Sequence, residues 1–214
     1  MSEMEISKGD MEVESARNRF EARVKSMVDE SMRRVEEEPA PQQAELLNWW
    51  NVWAVGPYQT GAFPQPGNII KVGETAYVYT ILWLNPYFPS GPQASACKLL
   101  SNLACKFRVQ YCTGNFCTWL TGPGSLNVSH EIAMVPNQCY YVDVLRIDAS
   151  TGMEGCYEMN ICAHIIGCVE DAAPPFAGFA TRVYDVNPDL FYPYGEGVGA
   201  RYEFDIPIKF MIYK

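Results

Sequence analysis

The sequence predicts a mainly β protein, an antiparallel β-sandwich preceded by one N-terminal amphipathic α-helix. Three observations carry that expectation. Short runs alternate apolar and polar residues at period 2 between turns rich in Gly, Pro and Asn. One stretch only, from Val13 to Val35, has helical periodicity. The strands are not separated by helices, as a parallel sheet would require. A chain of 214 residues, 48% of them hydrophobic, is long enough to bury a substantial core.

The stretch from Thr75 to Asn85 organises the rest. Tyr77, Tyr79, Ile81 and Trp83 share one face and Val78, Leu82 and Leu84 the other, so both faces need cover and the strand belongs at the centre of a sheet.

Before it, Val13, Ala16, Phe20, Val24, Met27, Val28 and Val35 form a helical stripe that starts near Asp10, a favourable N-cap. Glu21 with Lys25, Asp29 with Arg33 and Glu30 with Arg34 are acid-first pairs on the wet faces, each contributing a few tenths of a kcal/mol. Glu36, Glu37 and Glu38 oppose the helix dipole, and Pro39 and Pro41 end the helix. Residues 1–41 therefore read as a helix and a Pro- and Glu-rich linker, and 42–214 as the sandwich. The stripe either docks on its own domain or self-associates through Phe20, Val24 and Met27.

Trp49, Trp50 and Trp53 open the sandwich as a first strand or an interaction patch. A short strand over 68–72 follows, then the central strand, then a short helix within 94–103 that carries Cys97. Cys105, Phe107, Val109 and Tyr111 alternate with Lys106, Arg108 and Gln110 as a half-buried strand. A two-residue turn at Gly114 and Asn115 would place Cys112 opposite Cys117, within disulfide reach. Further strands are expected over 139–148 and from Cys156 to Ile165, joined as a hairpin, and over 178–186. The final strand alternates from Tyr202 to Ile212, with Pro207 placing it at an edge or bulge. The loop between the last two strands offers Phe191, Tyr192 and Tyr194 as contact residues.

Sixteen Lys and Arg against 25 Asp and Glu give a net charge of −9, which excludes nucleic acid and anionic lipid as natural partners. No run approaches the roughly 20 apolar residues of a spanning helix. The first ten residues lack a basic start followed by an apolar core, so a cytoplasmic protein is expected. All eight cysteines lie between Cys97 and Cys168. Their even number resembles a disulfide framework, yet the expected compartment favours reduced thiols. On the same ground the sequon Asn127-Val128-Ser129 reads as chance.

Cys162 and His164 share a strand face with Cys168, the only constellation that suggests a metal, but a structural zinc site needs four ligands and only three stand together. There is no phosphate-binding glycine loop and no G-x-S-x-G elbow. With two histidines, Cys139 or Cys162 beside His130 would be the thiol–base options, and spacing selects neither. No catalytic residue and no cofactor follow. Three readings remain, each with its own residues. The first is a non-enzymatic structural or protein-interaction module with a helical tether. The second is a thiol- or metal-based redox sensor using Cys112 with Cys117, or Cys162 with His164. The third is a carbohydrate-binding or hydrolytic sandwich that stacks aromatic side chains on sugars. The sandwich is expected to be immunoglobulin-like in general design, with a jelly roll as the alternative.

Overall fold

The computed structural model describes residues 8–37, 50–59, 67–86, 97, 100, 104–168, 177–192 and 207–214. One helix, α1 (Lys8–Glu37), precedes two sheets in a sandwich. The first sheet has four strands in the order β10 (Thr181–Arg182), β1 (Trp50–Gln59), β3 (Thr75–Leu84) and β7 (Tyr140–Asp148). The second has seven. Its main path runs β2 (Ile69–Lys71), β11 (Ile208–Tyr213), β8 (Gly155–Ile166), β4 (Lys106–Asn115) and β5 (Leu120–Thr121). β6 (Ser129–Ala133) also pairs with β4, and β9 (Ala177–Phe179) with β8. Most pairings are antiparallel, while β10 on β1 and β2 on β11 are parallel.

β3 lies between β1 and β7, with both faces buried as its composition requires. Val78, Leu82 and Leu84 point between the sheets, where they meet Phe107, Val109, Tyr111, Met159, Ile161, Phe210 and Ile212 in the main core. Tyr77, Tyr79, Ile81 and Trp83 point outward and are covered by Ala16, Phe20, Val24 and Val28 of α1, with Leu190 and Phe191 beside them. The register between β1 and β3 shifts between Val55 and Tyr58. Gly56 sits at that irregularity with φ +117°, and a side chain there would begin 2.7 Å from the Tyr77 carbonyl oxygen.

The charged faces of α1 also reach the sheet. Arg17 donates from Nε and Nη2 to the Val142 carbonyl, at 3.0 and 2.9 Å. Arg23 pairs with Asp185, and Arg34 with Asp189 at 3.2 Å. Of the expected acid-first helical pairs, Glu30 with Arg34 forms at 3.0 Å. Lys25 turns forward to Asp29 at 2.8 Å, and Arg33 is shared by Glu30 and Glu37. Phe20 and Val24 thus have no accessible surface for a second copy, and Met27 is half-buried against the same cluster.

Several connections differ from expectation. β7 and β8 do not form a hairpin: β7 pairs with β3 and β8 with β4 and β11, so residues 149–154 carry the chain from one sheet to the other. The strand expected over 178–186 is split at Ala180 into β9 on the seven-stranded sheet and β10 on the four-stranded one. Pro207 stands just before β11, which lies between β2 and β8 rather than at an edge. Of the short helix expected within 94–103, Cys97 and Leu100 are described, and both are helical and buried.

The expectation of reduced thiols is corrected at four positions. Cys97 is bonded to Cys139 and Cys105 to Cys168. The second bridge closes the end of the β4–β8 ladder, just beyond the Lys106–Ile166 pair. Cys112, Cys117, Cys156 and Cys162 are free. Among the described residues no helix is long and apolar enough to cross a membrane.

Candidate functional site

Among the described residues, no helix lies on the outer face of the seven-stranded sheet. β4 sends Phe107, Val109, Tyr111 and Thr113 inward, leaving Lys106, Arg108, Gln110 and Cys112 outside. On β8, Tyr157, Met159, Ile161 and Ala163 go inward, while Cys156, Glu158, Asn160, Cys162 and His164 go outward. Strand alternation thereby gathers three of the four free thiols on one face.

The fourth, Cys117, lies in the turn between β4 and β5. No two-residue turn forms at Gly114 and Asn115, because β4 keeps its pairing with β8 through the Asn115–Tyr157 pair. Cys112 consequently lies opposite Asn160, not Cys117. The reversal comes after Asn115, whose side-chain oxygen accepts from the Cys117 and Thr118 backbone N–H groups at 3.0 and 3.1 Å. Its carbonyl accepts from the Trp119 N–H at 2.8 Å. Asn is suited to such local backbone capping.

This turn holds Trp119 at φ 58° with 87% of its surface exposed. A bulky residue at positive φ is uncommon and is sustained only where its surroundings fix the backbone. Here the fixing network continues below the turn. Asn127 Oδ1 accepts from the Thr113 N–H at 2.8 Å and its Nδ2 donates to the Gly122 and Pro123 carbonyls at 3.2 and 3.0 Å. The Asn127 amide is therefore occupied by the backbone. Phe116, Trp119, Leu120, Thr121, Glu158 and Asn160 help line a concavity of about 420 Å³ beside the turn. That size is within the range of small-ligand pockets.

A second polar group lies inside the sandwich. Tyr111 OH donates to Asp143 Oδ2 at 2.9 Å and accepts from Thr80 Oγ1 at 2.9 Å; His130 Nδ1 donates to the same carboxylate oxygen at 2.8 Å. Thr80, Tyr111 and Asp143 are buried, while the His130 side chain is 37% exposed. Burial, then the Asp143 charge, push the Tyr111 phenol well above its usual range. The hydrogen bond to Asp143 raises the His130 pKa against partial burial.

The residues singled out from sequence are scattered. Trp53 and Phe191 are buried under α1, their rings meeting edge to face at 5.4 Å. Trp50 is half-buried against the main core, Tyr192 is half-buried, and Trp49 and Tyr194 lie outside the described residues. Cys162 Sγ is 3.6 Å from His164 Nε2, and Gln110 Oε1 lies 2.8 Å from that nitrogen. Cys168 does not join them because it is bonded to Cys105. Among the described residues no group of three or more His, Cys, Asp or Glu is arranged to hold a metal. Cys139 is in a disulfide and so cannot serve as a thiol beside His130. Trp119 escaped sequence reasoning, since a turn placed at Gly114 and Asn115 assigns it to a strand. The signal that marks it is Asn115 followed by three residues its side chain and carbonyl can cap.

No family model and no curated protein matches the sequence. Among solved structures, the chain is similar to the CARDB domain of the PF1109 protein from Pyrococcus furiosus, solved in complex with di-metal ions. The identity is 12%, the match covers 64% of this chain and 94% of that one, and the TM-score is 0.27. It is also similar to a β-glucosidase from Listeria innocua in complex with gluconolactone, at 9% identity and TM-score 0.28, covering 64% of this chain and 16% of the enzyme. A family 123 glycoside hydrolase from Clostridium perfringens matches at 7% identity and TM-score 0.31, covering 65% of this chain and 28% of that one.

Proposed function

We propose that this chain is a non-enzymatic binding module that holds a neutral carbohydrate against Trp119. The observation that carries the reading is an indole 87% exposed on a turn whose backbone Asn115 caps, beside a concavity of about 420 Å³. An aromatic face supplies apolar contact to the C–H face of a sugar, and the capped turn leaves no backbone to order on binding. Asn160, Thr121 and Glu158 in the same concavity offer amide, hydroxyl and carboxylate partners for sugar hydroxyls. The two disulfides support a working environment that keeps thiols oxidised, in place of the cytoplasm expected from sequence.

Titration of the full chain with neutral oligosaccharides, read by calorimetry and a glycan array, tests the proposal. Trp119→Ala removes a contact worth about 1.5 kcal/mol, so affinity falls about tenfold or more. Folding stability changes by no more than about 0.5 kcal/mol because the ring is exposed. A silent array, or sugar binding that Trp119→Ala leaves intact, overturns it. A second reading, a protein partner or second copy on the open sheet face, is favoured by the exposure of Phe179 (66%), Tyr213 (42%) and Met211 (39%). Native mass that depends on concentration, and that Phe179→Ser abolishes, would select it.

A further inference from the structure

We infer that Cys117 and Cys156 form a dithiol site that exchanges with small-molecule disulfides such as glutathione disulfide and closes to an intramolecular bridge.

The geometry rests on the last steps of the β4–β8 ladder. After the Asn115–Tyr157 pair, the Phe116 N–H donates to the Cys156 carbonyl at 3.0 Å, so Cys117 is one residue past the point where the turn is bonded to Cys156. The Asn115 cap on the Cys117 N–H folds the chain back at that point. Close approach is permitted by Gly155, where a side chain would begin 2.6 Å from Asn115 Nδ2 and push the turn away. The Phe116 bond sets Cys117 beside Cys156, and the Cys156 thiol is held above its usual range first by burial and then by the neighbouring Cys117. Cys117 is exposed and Cys156 half-exposed, so a small disulfide can reach both.

The remaining free thiols lack this arrangement. Cys112 is opposite Asn160 and Cys162 opposite Gln110, which makes Cys112 and Cys162 diagonal neighbours. Diagonal positions lie about 7–8 Å apart, beyond the Cα separation of roughly 4.4–6.8 Å that a disulfide spans. Cys117 with Cys156 is thus the one free pair whose placement leads to closure, a pairing that spacing along the chain does not suggest.

The exchange has two balanced steps. The Cys117 thiolate attacks one sulfur of glutathione disulfide; its S–S bond breaks, a mixed disulfide forms on Cys117, and one glutathione thiolate leaves. The Cys156 thiolate then attacks the Cys117 sulfur and expels the second glutathione. The protein loses two electrons and two protons, and one glutathione disulfide becomes two glutathione thiols.

Incubation of the full chain with mixtures of glutathione and its disulfide, followed by intact mass and non-reducing peptide mapping, tests the site. The expected product is lighter by two hydrogens, with the Cys117 and Cys156 peptides joined and neither Cys112 nor Cys162 in the link. Cys156→Ser stops at a mixed disulfide carrying one glutathione on Cys117. Separate glutathione adducts on Cys117 and Cys156 without closure, unmodified thiols at both, or a link containing Cys112 would each overturn the inference. The unsubstituted chain alone decides it, so a poorly folding variant leaves the result readable.

Discussion

Replacing Phe20 by Ala tests whether α1 is an integral layer of the fold. Phe20 is 0% exposed, and its ring stacks on Tyr79 with centroids 4.2 Å apart and planes 16° from parallel. Truncation to Ala returns about 100 Å² of apolar area to the unfavourable side, about 2.5 kcal/mol at 25 cal/mol per Å². Loss of the aromatic pair adds about 0.5–1.5 kcal/mol. The sum, about 3–4 kcal/mol, agrees with the usual cost of a buried Phe→Ala change. Urea unfolding followed by far-UV circular dichroism should show one transition, shifted by that amount with an unchanged denaturant slope. Arg19→Ala, on the exposed side of the same helix, should shift it by no more than about 0.5 kcal/mol. A Phe20→Ala loss below about 1 kcal/mol, or a separate early helix transition, would refute the docking argument.

Two further outcomes follow from the cysteines and from His130. Reduction of Cys97–Cys139 and Cys105–Cys168 opens loops with sequence separations of 42 and 63, and chain entropy alone assigns each bridge about 4 kcal/mol. Urea midpoints with and without reductant should differ accordingly, and equal midpoints would contradict bridges in the folded state. His130 has a folded pKa raised above 6.5 by Asp143, so its contribution is complete below about pH 6.5 and is lost as pH rises through the folded value. Stability measured across that window should decline in the unsubstituted chain and stay flatter in Asp143→Asn, whereas equal slopes would dismiss the pairing.

Much of the architecture could be read from local pattern. The two apolar faces of β3 demand cover, the Val13 to Val35 stripe supplies a helix to cover one of them, and the alternation in β4 and β8 orients both strands correctly. What local pattern could not supply was pairing. Gly114 and Asn115 form a dipeptide suited to a tight turn, but both stay paired with β8, opposite Glu158 and Tyr157, so β4 runs through the expected break. Thr113 is buried and donates from Oγ1 to the Leu126 carbonyl at 2.9 Å. The ladder with β8 therefore prevails over the dipeptide, and the reversal moves to Asn115 and beyond. The same shift relocates Cys117 from Cys112 to Cys156 and exposes Trp119. The passage from β7 to β8 was equally illegible, since a short turn segment does not say whether the next strand returns to its own sheet or enters the facing one.

The composition of each sheet's outer face explains why α1 lies on the four-stranded sheet. On the four-stranded sheet the outward residues include Trp53, Tyr77, Tyr79, Ile81 and Trp83, an aromatic surface too large to leave in water. α1 covers it, with Arg17, Arg23 and Arg34 holding hydrogen bonds or ion pairs to the sandwich around the apolar seam. A helix used in this way is a layer of the fold, and the aromatic residues beneath it contribute stability instead of contact. On the seven-stranded sheet the outward residues of β4 and β8 include Arg108, Gln110, Cys112, Glu158, Asn160, Cys162 and His164, with Arg108 paired to Glu131 at 2.9 Å. Water solvates these polar side chains, while Phe179, Met211 and Tyr213 on β9 and β11 leave apolar area exposed on the same face. An exposed indole at the end of that face has no folding role that its surroundings require, and for that reason Trp119, among the tryptophans described, is the one on which a binding function can be built.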